Sequence, residues 1–263
     1  MRKKLFISII LIFALTQISA AQTQEVKPPI DENTPKEVKE YYQLLLKWKD
    51  MSRKEAIKEI GNLSDKELKY IASLIYKTLD HNYEKFQEYY LKQGVIYHSD
   101  ILMKIREKFS PKDYVLIYLP YYLIIKITEV NETKTYMREE EKTLPNPIIV
   151  EVKCIVKQTL KGRFSKGEQI TFLYNKNWPN APKFSIDEEA LVILWTRSFG
   201  YDPYDYHLGL AVGIGSYTNK SKYPISNNII FDQNNFFGYG KEVSIEKFEK
   251  SFQNDVNKIK NLE

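Results

Sequence analysis

Cysteine, histidine and long apolar runs are all scarce in this sequence. One cysteine among 263 residues permits no internal disulfide, so the fold has to be held by packing. The three histidines, His81, His98 and His207, form no His-x3-His or His-Glu-x2-His pair, and a zinc site would need partners distant in sequence. There is no Gly-x-Ser-x-Gly nucleophile elbow. Gly162 and Gly167 have the spacing of a phosphate loop, but Glu168 and Gln169 stand where Lys and Ser/Thr belong, and a carboxylate there repels phosphate. Gly213-Ile214-Gly215 starts a dinucleotide fingerprint that Thr218 breaks. Asp232-x-Asn234 starts a calcium loop that Phe236 and Val243 break. No cofactor and no metal are expected.

Hydrophobic residues make up 43% and aromatic residues 14% of the chain, which excludes a disordered or collagen-like protein. The N-terminus places Arg2, Lys3 and Lys4 before an apolar run from Leu5 to Leu15 and the small residues Ser19, Ala20 and Ala21. That order predicts a signal peptide over residues 1–21 and an exported protein, periplasmic or extracellular. The apolar run is too short to span a bilayer, so no membrane span is expected after cleavage. Removing the three basic residues lowers the formal charge from +5 to +2. With no basic excess and an exported location, a nucleic-acid partner is not expected.

Proline and glycine divide the rest. No proline lies between Pro35 and Pro111, and that stretch has only Gly61 and Gly94, whereas the other glycines fall between Gly162 and Gly240. After a linker over 22–33, residues 34–110 predict a helical subdomain of four or five helices. Thr34, Ser52 and Ser64 each precede a Glu by three residues as capping boxes, and apolar stripes such as Val38, Tyr41, Leu45 and Trp48 follow. Gly94 suits a helix stop and Ser99 a new cap. His81 with Glu84 and Glu88 fits a solvated helix face.

From Pro111 the period changes to that of strands, and 111–240 is expected to form a β-barrel domain. Tyr114 to Val130 is rich in β-branched and aromatic residues and predicts one or two strands, followed by a charged tip over 132–142. A strand from Ile149 to Gln158 turns through Gly162 and Gly167 into alternating Ile170, Phe172 and Tyr174, which predicts a hairpin. Cys154 shares the parity of Val150, Val152 and Val156 and is expected to face inward. Glu189 to Trp195, Leu208 to Tyr217 and Asn228 to Phe231 supply further strands. Ser244 then caps an amphipathic helix within 241–263, with Ile245, Phe248, Phe252, Val256 and Ile259 set to pack on the sheet. The expected class is α+β: a helical N-terminal subdomain, an OB-like β-barrel and a C-terminal amphipathic helix.

The order of strand, strand ending in Leu-Lys-Gly, Lys-Gly turn, strand, loop and Asp-Glu-Glu-Ala-Leu-Val-Ile-Leu strand resembles the OB-like barrel of the netrin-module and metalloproteinase-inhibitor-like family. Exported bacterial versions are similar from about Tyr121 to Trp195. The resemblance implies the barrel. Inhibitors of that family chelate a protease zinc through an N-terminal cysteine, and here the sole cysteine is Cys154.

One segment fits no stripe: Trp195, Phe199, Tyr201, Tyr204 and Tyr206, punctuated by Gly200 and Pro203, with Trp178-Pro179 in a separate loop. These rings either pad the open end of the barrel or stack on a sugar or peptide. Trp178, Tyr201, Tyr204, Tyr206 and His207 are the candidate ligand-binding residues, and no catalytic residue is singled out. His207 lies beside Asp202 and Asp205. The first functional expectation is an exported non-enzymatic binding or interaction module whose partner is a protein, peptide or saccharide of the cell envelope. The alternatives are a hydrolase of envelope polymer or peptide, and a protease inhibitor.

Overall fold

The computed structural model describes residues 27–93, 96–134, 148–177, 181–198, 206–211 and 221–262. The expected signal peptide over 1–21 lies outside these residues, as does most of the charged tip. Local start signals build the helices. Helix α1 (Lys36–Asp50) buries Val38, Tyr41, Tyr42, Leu45 and Trp48 on one stripe. Its expected cap is corrected: Pro35 takes the N-cap position, and the Thr34 hydroxyl turns to Asp31 instead, at 2.9 Å. Ser52 forms a reciprocal capping box with Glu55 and starts α2 (Arg53–Gly61). Ser64 and Glu67 do the same for α3 (Asp65–Gln93).

Helix α3 breaks at Asn82, where φ is −160° and ψ is 86°. The Asn82 side chain accepts a hydrogen bond from the Lys85 N–H at 3.0 Å and so caps the second half of the helix. Helix α4 (Ile96–Lys108) begins three residues before the expected cap, and the Ser99 hydroxyl meets the Tyr90 phenol at 2.7 Å. The largest correction lies at Pro111. Residues 111–118 form helix α5 (Pro111–Tyr118) rather than a strand. Ser110 caps it, accepting from the Asp113 N–H at 3.2 Å, and Pro111 occupies the first turn, where its missing N–H costs nothing. These signals override the β-preference of Tyr114, Val115 and Ile117. Helix α5 packs against α3.

Five strands then close into a barrel: β1 (Tyr121–Lys134), β2 (Ile148–Lys161), β3 (Gln169–Asn175), β4 (Glu189–Ser198) and β5 (Tyr206–Leu210). The neighbour order is β1-β2-β3-β5-β4. Antiparallel pairing of β1 with β4, from Tyr121 opposite Leu194 to Lys126 opposite Glu189, brings the ends together. The β3–β5 contact is parallel, at Leu173 opposite Gly209. Register shifts along β1 and β2 bend the long hairpin so that it serves both neighbours. This architecture is compatible with an OB-like fold.

The sheet continues outward from β4 through β6 (Lys222–Ser226), β7 (Ile229–Phe231) and β8 (Glu242–Ser244). Strand β5 ends at Leu210, and 212–220 lie outside the described residues. Ser244 caps helix α6 (Ile245–Lys260), accepting from the Lys247 N–H at 3.3 Å. Phe248 and Phe252 of α6 pack on Phe237 and Tyr122 with ring centroids 5.0 Å apart in each pair. Asp255 takes the Lys112 ammonium at 2.7 Å and the Tyr239 hydroxyl at 2.5 Å, which ties α6 to α5. One continuous buried cluster runs from Val38 in α1 through the barrel to Ile259 in α6.

Candidate functional site

The fold brings together the two strand ends that flank the predicted loop. Strand β4 ends and β5 begins side by side, with Ser198 opposite Tyr206 and Arg197 opposite His207. The chain between them carries Tyr201 and Tyr204. Tyr206 and His207 are therefore brought to the same strand end. Tyr201 and Tyr204, and Trp178 in the β3–β4 connection, lie outside the described residues. Near this end of β4, half-buried Trp195 lies with its ring 6.2 Å from Tyr118 of α5. Gln87 of α3 clamps the next residue, giving a hydrogen bond to the Thr196 carbonyl at 3.0 Å and taking one from the Thr196 hydroxyl at 2.9 Å. The strand end that launches the aromatic connection is thus held by the helical region.

The buried titratable groups are set for packing. His98 is enclosed by Phe86 and Tyr90, at ring distances of 4.9 and 5.1 Å, and its Nδ1 meets the Tyr41 hydroxyl at 2.6 Å. Burial pushes its pKa down to about 3, so the ring is neutral at physiological pH. Cys154 faces inward as its parity predicts, and burial raises its thiol to about 12, far from the thiolate a nucleophile needs. The break at Asn82 takes Glu84 and Glu88 off the helical register of His81. Among the described residues, no group of three or more His, Cys, Asp and Glu side chains is placed to hold a metal ion.

A second concavity was not foreseen from the sequence. Where α3 breaks, a cleft of about 240 Å³ opens between residues 79–85, the Pro120–Tyr121 entry to β1 and the Gly162–Arg163 turn after β2. Gly162 has φ of +109°, and a Cβ there would sit 2.6 Å from the Tyr121 ring. Only glycine lets the turn lie this close. Glu84 accepts a hydrogen bond from the Tyr121 hydroxyl and binds Arg163 Nε at 2.9 Å. Under the cleft, Lys161 is buried with its ammonium donating to the carbonyls of Leu116 and Leu119 at 2.7 and 2.8 Å. It thereby satisfies the C-terminal end of α5, over the face of Tyr76 at 4.2 Å. Burial pushes its pKa down to about 7, against the pull of Asp80.

No protein-family model matches the chain, and no curated protein is similar to it at a significant level.

Proposed function

We propose that the protein is an exported, non-enzymatic binding or interaction module that takes a saccharide or peptide of the cell envelope at the β4–β5 mouth of its barrel. The observation that carries this reading is the strand order β1-β2-β3-β5-β4. In five-stranded barrels of this kind, the β1–β2 and β4–β5 connections are ligand-gripping loops. Here the β4–β5 connection holds Tyr201 and Tyr204, flat rings with polar tips that suit stacking on a sugar or a peptide group. The step from barrel to binding is a fold-level analogy.

Export is supported by the basic, apolar and small-residue order of residues 1–21. Among the described residues, no helix is long and apolar enough to cross a membrane. A non-enzymatic role is supported by the buried groups, since His98 is held neutral and Cys154 is held as thiol. The resemblance to the netrin-module and metalloproteinase-inhibitor-like family over about residues 121–195 supports the same barrel. Inhibition in the manner of that family needs an N-terminal cysteine that this chain lacks, and so binding without inhibition is the stronger reading.

The test is calorimetric titration of the purified protein with wall oligosaccharides and peptides, repeated with Trp178→Ala, Tyr201→Ala and Tyr204→Ala combined. Loss of one stacked ring is expected to weaken binding by on the order of 1 kcal/mol, and loss of all three to abolish it. Undiminished affinity in the triple variant would overturn the site. Turnover of a titrant, abolished by His207→Ala, would replace the binding module with an enzyme.

A further inference from the structure

The cleft at the break of α3 is lined by Tyr83 and Tyr121, Tyr121 standing opposite Leu194 of β4, and its charges are unevenly committed. Both of its central carboxylates are already neutralised from within. Asp80 pairs with Lys260 of α6 at 3.3 Å. Glu84 holds the Tyr121 hydroxyl and Arg163 Nε. The cations are less occupied. Arg163 gives Nε to Glu84 at 2.9 Å, also hydrogen-bonds the Tyr121 side chain, and lies with its guanidinium over the Phe164 ring at 5.6 Å while its side chain stays 68% exposed. Lys85 has no ion pair among the described residues, although its charge is felt at Asp31, which is itself bonded to Thr34. His81 adds an exposed imidazole to the same rim.

A guanidinium fixed by Glu84, Tyr121 and the Phe164 ring yet largely exposed is positioned to meet an oxyanion. Lys85 lines the same cleft and supplies a second positive charge. Two features of the fold serve this placement. Gly162 presses the turn against Tyr121 and so sets Arg163 at the rim, and Asn82 interrupts a helix of 29 residues to open the space. Tyr121 and Pro120 line the wall beside the charges.

We propose that this cleft is a second ligand site, which binds a small molecule through a carboxylate or phosphate group held by Arg163 and Lys85. The site is built from α3, the start of β1 and the turn after β2.

The experiment is titration of the purified protein at constant ionic strength with inorganic phosphate and, separately, with N-acetylglycine, using sodium chloride as the control. Saturable one-site binding of at least one probe is expected, weakened about tenfold by Arg163→Gln and by Lys85→Gln, as befits the loss of one charge-assisted hydrogen bond. Both side chains are exposed, so an unchanged melting temperature shows that the variants remain folded. Trp178→Ala is expected to leave this binding intact. Preference for phosphate assigns a phosphorylated ligand, and preference for N-acetylglycine assigns a carboxylate. Absence of saturable binding by both probes, competition by chloride at equal concentration, or wild-type affinity retained in both charge variants would overturn the proposal. So would loss of binding in Trp178→Ala.

Discussion

The helical region and the barrel reach order by different routes. In the helices the information is local: Ser52 caps with Glu55 and Ser64 with Glu67, three residues apart, and each helix then needs only one apolar stripe to dock. In the barrel it is distant: closure depends on Tyr121 meeting Leu194 and on Leu173 meeting Gly209. Yet the two share one core, and the helices reach into the barrel through Gln87 on Thr196 and through α5 beneath Lys161. The helices act as a buttress that fixes strand ends.

If the core is common to both, truncations on either side should cost alike. Trp48→Ala in α1 and Phe172→Ala in β3 are each expected to lower stability by about 3–5 kcal/mol in urea unfolding. Fluorescence and far-ultraviolet dichroism should coincide in a single transition for both variants. Two separated transitions would break the comparison by making the helices an independent unit.

The two regions should also differ in pH response. Lys161 at the barrel junction titrates near 7 in the fold and near 10.4 when unfolded. Between those values the unfolded chain binds a proton that the folded chain does not. Stability therefore rises as pH climbs from 7, by on the order of 4 kcal/mol at most. Above about pH 10 the buried tyrosines, whose ionisation the fold suppresses, reverse the trend. In the helical region His98, held at about 3, makes stability fall as pH drops below about 6.5. Denaturation midpoints across pH 4–9.5 should show both limbs; Lys161→Met should flatten the alkaline one and His98→Phe should make the acid one shallower.

Glycines sharpen the contrast further. Gly162→Ala is expected to cost about 2–4 kcal/mol through positive φ and collision with Tyr121. Gly61→Ala at the end of α2 meets no atom within 4 Å, and should be neutral or stabilise by about 0.4–1 kcal/mol. The smallest effect belongs to the caps. Ser52→Ala and Ser64→Ala should each cost about 1 kcal/mol by thermal unfolding.

The same contrast explains what was legible in the sequence. The Ser52 and Ser64 boxes, the α6 stripe and the inward parity of Cys154 depend on neighbours within a few residues, and they could be read directly. Tyr114 to Tyr118 read as the start of a strand because their β-branched and aromatic side chains mask the Ser110-Pro111 start signal of a helix. Strand β6 carries Pro224, a residue that discourages strands, opposite Ala190 within the sheet. Thr34 failed as a cap because Asp31 competes for its hydroxyl. The junction cleft had no local signature at all, since Glu84, Tyr121 and Arg163 each come from a different element. Of the aromatic candidates, Tyr201 and Tyr204 belong to the chain that joins the end of β4 to β5, which Tyr206 begins, whereas Trp178 belongs to the separate β3–β4 connection.

The most direct test of the central claim is to map chemical shifts of backbone amides while the protein is titrated with an envelope saccharide or peptide that binds it. The account predicts that perturbations concentrate at the ends of β4 and β5, around Trp195 to Ser198 and Tyr206 to Leu210, and in the connection between them, with helices α1 and α2 silent. Perturbations confined to the helical region, with β4 and β5 unmoved, would contradict it.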